Sequence, residues 1–224
     1  MKKWCCILNN LLEEKMKNNK NRIISLLIFI IPVMMCIIAY PHLPQVIGTH
    51  FDFSGTVNGT MGKFLGTFGI LGVMFALQCG MVFFVPKDPK YQNIGGAMQT
   101  LTFYSVPVIT TIVLAAILAI NLGYSISINT ITGTMVGLLF IGLGNYLPKT
   151  KRNYSVGIKL PWTLDDDDNW NKTHRLGGYC FIVSGFALLL TGFINQLGIG
   201  LTVTFALMIV PAIYSYLLYQ KKTK

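Results

Sequence analysis

The sequence predicts an all-α integral membrane protein, a bundle of six transmembrane helices with both termini in the cytoplasm. The composition is 53% hydrophobic and only 12% charged, whereas a soluble domain carries about 25% charged residues. Long apolar segments alternate with loops, and the Lys and Arg residues are concentrated in every second loop. Lipid is therefore the predicted solvent for most of the surface, and the charge pattern predicts the orientation.

Six apolar segments are long enough to cross the hydrocarbon core, which takes about 20 helical residues. None of them contains Lys, Arg, Asp or Glu, and three contain one isolated proline, which membrane helices tolerate as a kink. The predicted spans are residues 23–40, 64–85, 99–120, 126–147, 176–196 and 199–219.

Every Lys and Arg except Lys63 lies in the N-terminal segment, in the loops after the second and fourth spans, or at the C-terminus. Cytoplasmic loops are the basic ones, so these four regions are predicted to lie on the cytoplasmic side of the cell membrane. The predicted organisation is a basic segment at 1–22, a six-span membrane domain at 23–220 and a basic tail at 221–224. The membrane domain has an outer loop at 41–63 and a large cytoplasmic loop at 148–175.

The N-terminal segment leaves two interpretations open. Trp4, Ile7, Leu8 and Leu11 recur at helical spacing beside lysines, which is typical of a short amphipathic helix lying on the membrane surface. Alternatively, Met16 is the start of the chain, because the basic residues that follow it already form a normal flank for the first span.

Glycines recur within the fourth and fifth spans. Gly133 and Gly137 form a GxxxG pattern, and Gly178, Gly185 and Gly192 repeat every seven residues. Small residues on one face let helix backbones approach closely, so these glycines predict packing seams.

The outer loop reads PHLPQVIGTHFDFSGTVNGTMGK. The dipeptides Ser-Gly at 54–55 and Asn-Gly at 58–59 predict turns, so a structured cap over the helices is the favoured interpretation. A metal site formed by His42, His50 and Asp52 is the weaker one, because no helical motif presets these ligands.

The cytoplasmic loop mixes aromatic and basic residues, which suits either a membrane-interface belt or a protein-binding surface. Its four-aspartate run lacks the Gly and Glu of a calcium-binding EF-hand. Thr163 is predicted to cap a helix, with Asp166 three residues on. That helix would continue through Trp170 and His174 into the fifth span.

No motif of a hydrolase, a nucleotide-binding protein or a metalloprotease is present, so we predict that the chain is not an enzyme and uses no cofactor. Absence of charge within the spans disfavours an ion-coupled pump. A carrier for a small solute, or a peptide-efflux protein, remains the alternative function.

Three strings in the cytoplasmic stretch, GNYLPKTKRNY, VGIKLPWTL and W-x-K-THRLGG, resemble the SdpI family of bacterial multi-pass proteins. The outer loop is similar to the small domain often found at the N-terminus of this family, with its THF…SG…G signature. The resemblance covers roughly residues 30 to 220. Gly48 departs from an expected proline, and Lys159 and Leu160 depart from the common Arg-Thr.

The resemblance implies toxin resistance: an immunity protein of the bacteriocin type that protects the cell from a secreted, membrane-active peptide, such as the sporulation-delaying peptide. It also implies signal transduction, in which toxin sensing sequesters a cytoplasmic transcriptional repressor at the membrane. The implied partners are the lipid bilayer, the peptide toxin outside and the repressor inside, without direct binding to nucleic acid.

Two sets of candidate residues follow, and neither is catalytic, cofactor-binding or metal-binding. The candidate partner and signalling residues are Asn145, Tyr146, Pro148, Lys149, Arg152, Asn153, Tyr154, Gly157, Pro161, Trp162, Trp170, Lys172, His174, Arg175 and Gly177. The candidate contacts for a toxin are His50, Phe51, Asp52, Phe53, Gly55 and Gly59.

Overall fold

The computed structural model describes residues 19–223, and the amphipathic helix predicted before them lies outside this range. Within it, six helices are long and apolar enough to cross a membrane, which confirms the predicted six-helix bundle. Large apolar side chains such as Ile38, Leu190 and Phe205 are about two-thirds exposed along these helices, as lipid contact requires. Spans 1 to 6 are Asn19–His42, Leu65–Lys87, Gly96–Asn121, Ile128–Lys149, Asp167–Phe193 and Leu197–Lys222.

The regular α-helices fill most of each span. They are residues 19–27, Ile30–Ala39, Ile70–Phe84, Gly96–Asn121, Ile128–Tyr146, Asp167–Phe193 and Leu197–Thr223, with a short loop helix at Pro161–Asp165. Span 1 is interrupted by a turn at Ile28 and Phe29. This break lies one turn before Pro32, whose ring clashes with the carbonyl four residues earlier.

Spans 4 and 5 pack through glycines, as the sequence predicted. A Cβ atom on Gly137 would lie 2.7 Å from the Gly185 carbonyl, and one on Gly133 would lie 2.8 Å from the Gly192 Cα. A third pair, Gly144 and Gly178, shows the same approach at 2.7 Å. The two backbones are therefore in direct contact along most of the bilayer.

The outer loop forms an antiparallel hairpin of β1, Val46–Phe51, and β2, Val57–Gly62. The predicted turn at 54–55 is confirmed, since Gly55 has φ of 86° between the strands. The predicted turn at 58–59 is wrong, because both residues lie in β2, where Gly59 pairs with His50.

The hairpin is anchored to the bundle at two points. The side chain of Ile47 is fully buried and lies against Gly66 at the start of span 2. At the end of span 3, the Asn121 amide accepts the Gly48 N–H at 2.8 Å and donates to the Gly48 carbonyl at 2.9 Å. The Asn121 side chain thus satisfies the backbone N–H and carbonyl of Gly48, which a third strand would otherwise pair.

The helix of span 5 begins earlier than the apolar pattern indicated. It runs continuously through Trp170 and His174, as predicted, but its N-cap is Asp166, whose carboxylate accepts the Asp168 N–H at 2.9 Å. The predicted cap at Thr163 is wrong. Pro161 opens the loop helix two residues earlier, so the Thr163 hydroxyl instead accepts the Leu160 N–H.

Candidate functional site

At the hairpin end of the bundle lies a half-open cavity of about 280 Å³. Its wall is formed by hairpin residues 49–53, by spans 3 and 4, and by the first turns of span 6. Four of the six residues predicted to meet a toxin line it: His50, Phe51, Asp52 and Phe53. The remaining lining residues are Thr49, Val113, Ala116, Ile117, Ile128, Asn129, Ile131, Thr132, Met135, Leu197 and Leu201.

Asp52 organises the tip of the hairpin. One carboxylate oxygen accepts the N–H groups of Ser54 and Thr56 and the Ser54 hydroxyl, and the other accepts the Thr56 hydroxyl. These hydrogen bonds, that from the Ser54 side chain first, hold the pKa of Asp52 well below its usual range. The carboxylate is therefore ionised at every physiological pH.

Two irregularities in the strand pairing lie where β1 reaches the cavity, between Gly48 and His50 and between His50 and Phe51. A β-bulge redirects side chains and bends the strand, and here it brings consecutive residues 49–53 to the cavity wall. The His50 ring is held by Asn58, with 2.6 Å between Nδ1 and Oδ1.

The two remaining predicted contacts, Gly55 and Gly59, shape the hairpin. A Cβ atom on Gly55 would lie 3.3 Å from Ile128, and one on Gly59 would lie 2.8 Å from His50. The weaker hypothesis of a metal site finds no support, because no group of three or more potential metal ligands occurs among residues 19–223.

At the opposite end, Trp170 and His174 form the buried centre of the large loop. Their rings stack with centroids 3.8 Å apart, and both side chains are fully buried. The Trp170 indole donates to the Thr150 carbonyl at 2.8 Å. Because the Ile158 N–H donates to His174 Nε2 at 3.0 Å, Nδ1 carries the proton and donates to the Trp170 carbonyl at 2.8 Å.

Gly157 fits against this ring pair with φ of 130°. A Cβ atom there would collide with His174 Nε2 and lie 3.0 Å from Trp170. Gly177 lies one turn after His174, and the Ile158 side chain occupies the space beside it. A Cβ atom on Gly177 would lie 2.6 Å from Ile158 Cδ1. Both glycines are therefore required for the loop to lie flat on the helix.

Trp162 ties the loop helix to span 6. Its indole donates to the Ser215 hydroxyl at 2.8 Å, which donates to the Asn169 side chain at 2.7 Å. The Thr173 hydroxyl donates to the same Asn169 oxygen at 2.9 Å. The Trp162 ring also packs against Tyr216 and Tyr219. Trp162 is thus an internal anchor.

Asp166, Asp167 and Asp168 of the aspartate run form ion pairs within the chain. Arg152 binds Asp167, with 2.8 Å between Nε and Oδ1, and also donates to the Leu164 carbonyl. Lys222 bridges Asp166 at 2.6 Å and Asp168 at 3.2 Å. The Lys222 ammonium lowers the pKa of the Asp166 carboxyl. The run therefore fastens the loop to the end of span 6.

Asp88, in the loop between spans 2 and 3, was not among the predicted residues. Its carboxylate accepts the Tyr154 N–H at 2.8 Å and the Ser155 hydroxyl at 2.7 Å. Asn93 extends this contact by donating to the Arg152 carbonyl at 2.7 Å. These hydrogen bonds join the loop between spans 2 and 3 to the large cytoplasmic loop. The one sequence feature that could have indicated this contact is an acidic residue between the basic residues Lys87 and Lys90.

The structure divides the predicted signalling residues into a buried, a half-buried and an exposed group. Asn153 belongs to the buried group, since its side chain caps the turn at Ser155 and Val156. Tyr146 is half-buried beneath the Lys149 ammonium. The exposed group is Asn145, Pro148, Lys149, Tyr154, Pro161, Lys172 and Arg175.

Comparison with known proteins bears on both ends of the bundle. Residues 149–218, which hold the ring pair and the Trp162 anchor, match the SdpI/YfhL protein family. The resemblance to the SdpI family is confirmed. Residues 27–75, which contain the hairpin, match a domain of unknown function (DUF1648).

A curated SdpI relative extends the similarity to the whole chain. The immunity protein SdpI of Bacillus subtilis (strain 168) is 26% identical over 206 residues, covering 90% of this chain and 97% of that protein. No solved structure matches the chain.

Proposed function

We propose that this chain is a multi-pass membrane immunity protein that protects a bacterial cell from a secreted, membrane-active peptide toxin. The observation that carries the proposal is the alignment with the immunity protein SdpI, which covers 97% of that relative. The alignment is not confined to one loop, since it extends over 206 residues and 90% of this chain. The six helices that are long and apolar enough to cross a membrane support this proposal, because a membrane-active toxin acts on the bilayer.

The proposed orientation has both termini in the cytoplasm and the hairpin outside. The basic residues of the interlocked loops, among them Lys87, Lys90, Lys149 and Arg175, lie at the end opposite the hairpin. Lys63 is the exception, and its ammonium is held by the Leu43 carbonyl and the Tyr40 ring. A peptide arriving from outside would meet the hairpin first.

A second activity, toxin sensing coupled to capture of a transcriptional repressor, would use the cytoplasmic loop. The Trp170–His174 pair holds the loop in place. The loop and its flanks then expose Pro148, Lys149, Tyr154 and Arg175. Signalling requires two states of the bundle that differ in affinity for the toxin. The Lys222 ion pairs connect this surface to the end of span 6 and so offer a route for such a change.

The direct test is survival of a toxin-sensitive bacterium that expresses the chain. The cells are challenged with the sporulation-delaying peptide and with unrelated membrane-active peptides, and membrane insertion is measured in parallel. We expect selective survival against one peptide. Uniform sensitivity with correctly inserted protein would contradict the proposal and favour a carrier.

The same assay asks whether the outer end is responsible. Phe53 is 69% exposed at the hairpin tip, whereas Phe84 is 67% exposed at the opposite end of span 2. Phe53→Ser is expected to weaken protection, and the matched variant Phe84→Ser is expected to retain it. Equal protection by both variants would place the protective contact elsewhere.

A further inference from the structure

The cavity beneath the hairpin is a pocket with an apolar floor and a polar rim. Val113, Ile131, Met135 and Leu201, from three different spans, form its floor. Val113 lies eight residues before the end of span 3, so the pocket reaches about 12 Å below that end at 1.5 Å per helical residue. Ligand pockets generally combine such an apolar lining with a few convergent polar groups.

Asp52 gives the rim a negative charge. It is the sole acidic residue of the outer loops, and the sole basic residue there, Lys63, is engaged with Leu43 and Tyr40. Within residues 19–223, one Asp52 oxygen accepts three hydrogen bonds and the other accepts one. A carboxylate oxygen that accepts one bond retains a lone pair for a further donor.

We propose that this cavity binds an apolar side chain of a peptide, with a neighbouring cationic group of that peptide held by the Asp52 carboxylate. The inference rests on the proposed immunity function and assigns the ligand class of its outer site. At about 280 Å³, the volume lies near the lower end of ligand pockets. The cavity therefore suits one anchoring side chain rather than a whole peptide. Buried anchor side chains of this kind supply most of the binding energy at other interfaces.

The charge of the rim favours a cationic peptide over a lipid. A phospholipid chain would fill the floor, but its phosphate would then lie near the Asp52 carboxylate, and like charges repel. A lysine side chain or a peptide N-terminus would instead donate a charge-assisted hydrogen bond to the Asp52 carboxylate.

Binding to the purified chain in phosphatidylcholine nanodiscs tests the inference. The probe is a fluorescein-labelled, 12-residue peptide of Leu and Lys at helical spacing, compared with the same peptide carrying Glu in place of each Lys. We expect saturable binding of the Lys peptide above that of empty nanodiscs. The Glu peptide is expected to bind at least roughly tenfold more weakly, because it loses the charge pair with Asp52.

Three variants locate the binding. Asp52→Asn keeps an acceptor for the turn but removes the charge, and Met135→Trp fills the floor, so both are expected to weaken binding of the Lys peptide roughly tenfold. Gly72→Trp is the matched control, because its Cβ meets nothing within 4 Å and it fills a lipid-facing groove between spans 1 and 2. That variant is expected to bind like the wild type.

Several outcomes would overturn the inference: no saturable binding, equal binding of both peptides, or unchanged binding by Met135→Trp. Native mass spectrometry that finds a phospholipid retained by the wild type and lost from Met135→Trp, without peptide binding, would assign the cavity to lipid. The survival assay separates the two proposals. Binding as expected without protection would refute immunity alone, whereas protection with binding indifferent to charge and cavity would refute the binding site alone.

Discussion

At the residue scale, a few side chains hold the large cytoplasmic loop against the bundle. The burial of His174 could not be recognised from the sequence, since its neighbours Lys172 and Arg175 are charged and exposed. In the structure it is fully buried under Trp170. No local signal reveals this, because the partner that completes its hydrogen bonds, Ile158, comes from the far side of the loop helix.

Gly157 provides the sharpest test of that packing. Gly157→Ala is expected to destabilise the protein by roughly 3 kcal/mol, because the new methyl group meets Trp170 and His174 at an unfavourable φ. Gly95→Ala shares the positive φ, 77°, but meets nothing within 4 Å, so it is expected to cost only about 1–2 kcal/mol. Thermal unfolding in detergent measures both, and equal losses would show that Gly157 serves conformation alone.

Asp88 predicts a pH dependence. Burial raises the pKa of this carboxyl, but hydrogen bonds from the Ser155 side chain and from the backbone of Lys90, Tyr154 and Ser155 outweigh it and lower the pKa below its usual value of 3.8. A carboxyl whose pKa is lower in the folded than in the unfolded protein stabilises the fold at pH values above its unfolded-state pKa. This stabilisation is lost as the pH falls through the folded-state pKa.

Asp88→Asn is therefore expected to lower stability at pH 7 by about 1.5 kcal/mol, since hydrogen bonds to charged groups contribute this much. The difference from the wild type should shrink as the pH falls below 4. Thermal unfolding across this range measures it, and Asp165→Asn, the same change at an exposed residue, is the control. A gap that stays constant with pH would refute the role of the Asp88 charge.

At the scale of elements, the glycine seam between spans 4 and 5 was predictable and the hairpin was not. Gly133, Gly137 and Gly185 follow spacings that depend only on helix periodicity, so the sequence could reveal them. The hairpin strands are short and rich in glycine and threonine, and β1 is bulged, so no regular alternation marks them. The position of β1 on the bundle also depends on Asn121, which lies 73 residues from Gly48.

The glycine seam predicts that spans 4 and 5 tolerate no side chain at their contact. Gly137→Leu is expected to separate spans 4 and 5, because even a Cβ atom there would lie 2.7 Å from the Gly185 carbonyl. Gly80→Leu is the matched control in span 2, where nothing lies within 4 Å of the Cβ position. Folded yield and thermal stability in detergent should fall for the first variant and not for the second. Equal behaviour would contradict the seam.

At the scale of the whole molecule, hydropathy predicted all six spans, with bounds within a few residues of the structure except for the earlier start of span 5. Hydropathy misses that extension because Asp167–Arg175 is polar, and the segment is held by contacts with Arg152, Ser215 and Lys222. The helix-cap pattern did predict it, although the cap is Asp166 and not Thr163. The cavity was likewise beyond sequence reasoning, since its wall combines the hairpin with spans 3, 4 and 6. Only the hairpin residues of that wall were named from the sequence.

The central claim is that the hairpin and its cavity face the outside while the interlocked basic loops face the cytoplasm. The most direct measurement replaces the five cysteines and labels single cysteines, Thr60→Cys in β2 or Lys151→Cys in the large loop, with a membrane-impermeant maleimide. Both positions are exposed. We predict labelling of Thr60→Cys in intact cells and of Lys151→Cys only after permeabilisation. The reverse pattern would place the cavity inside the cell and contradict an outer site for a peptide toxin.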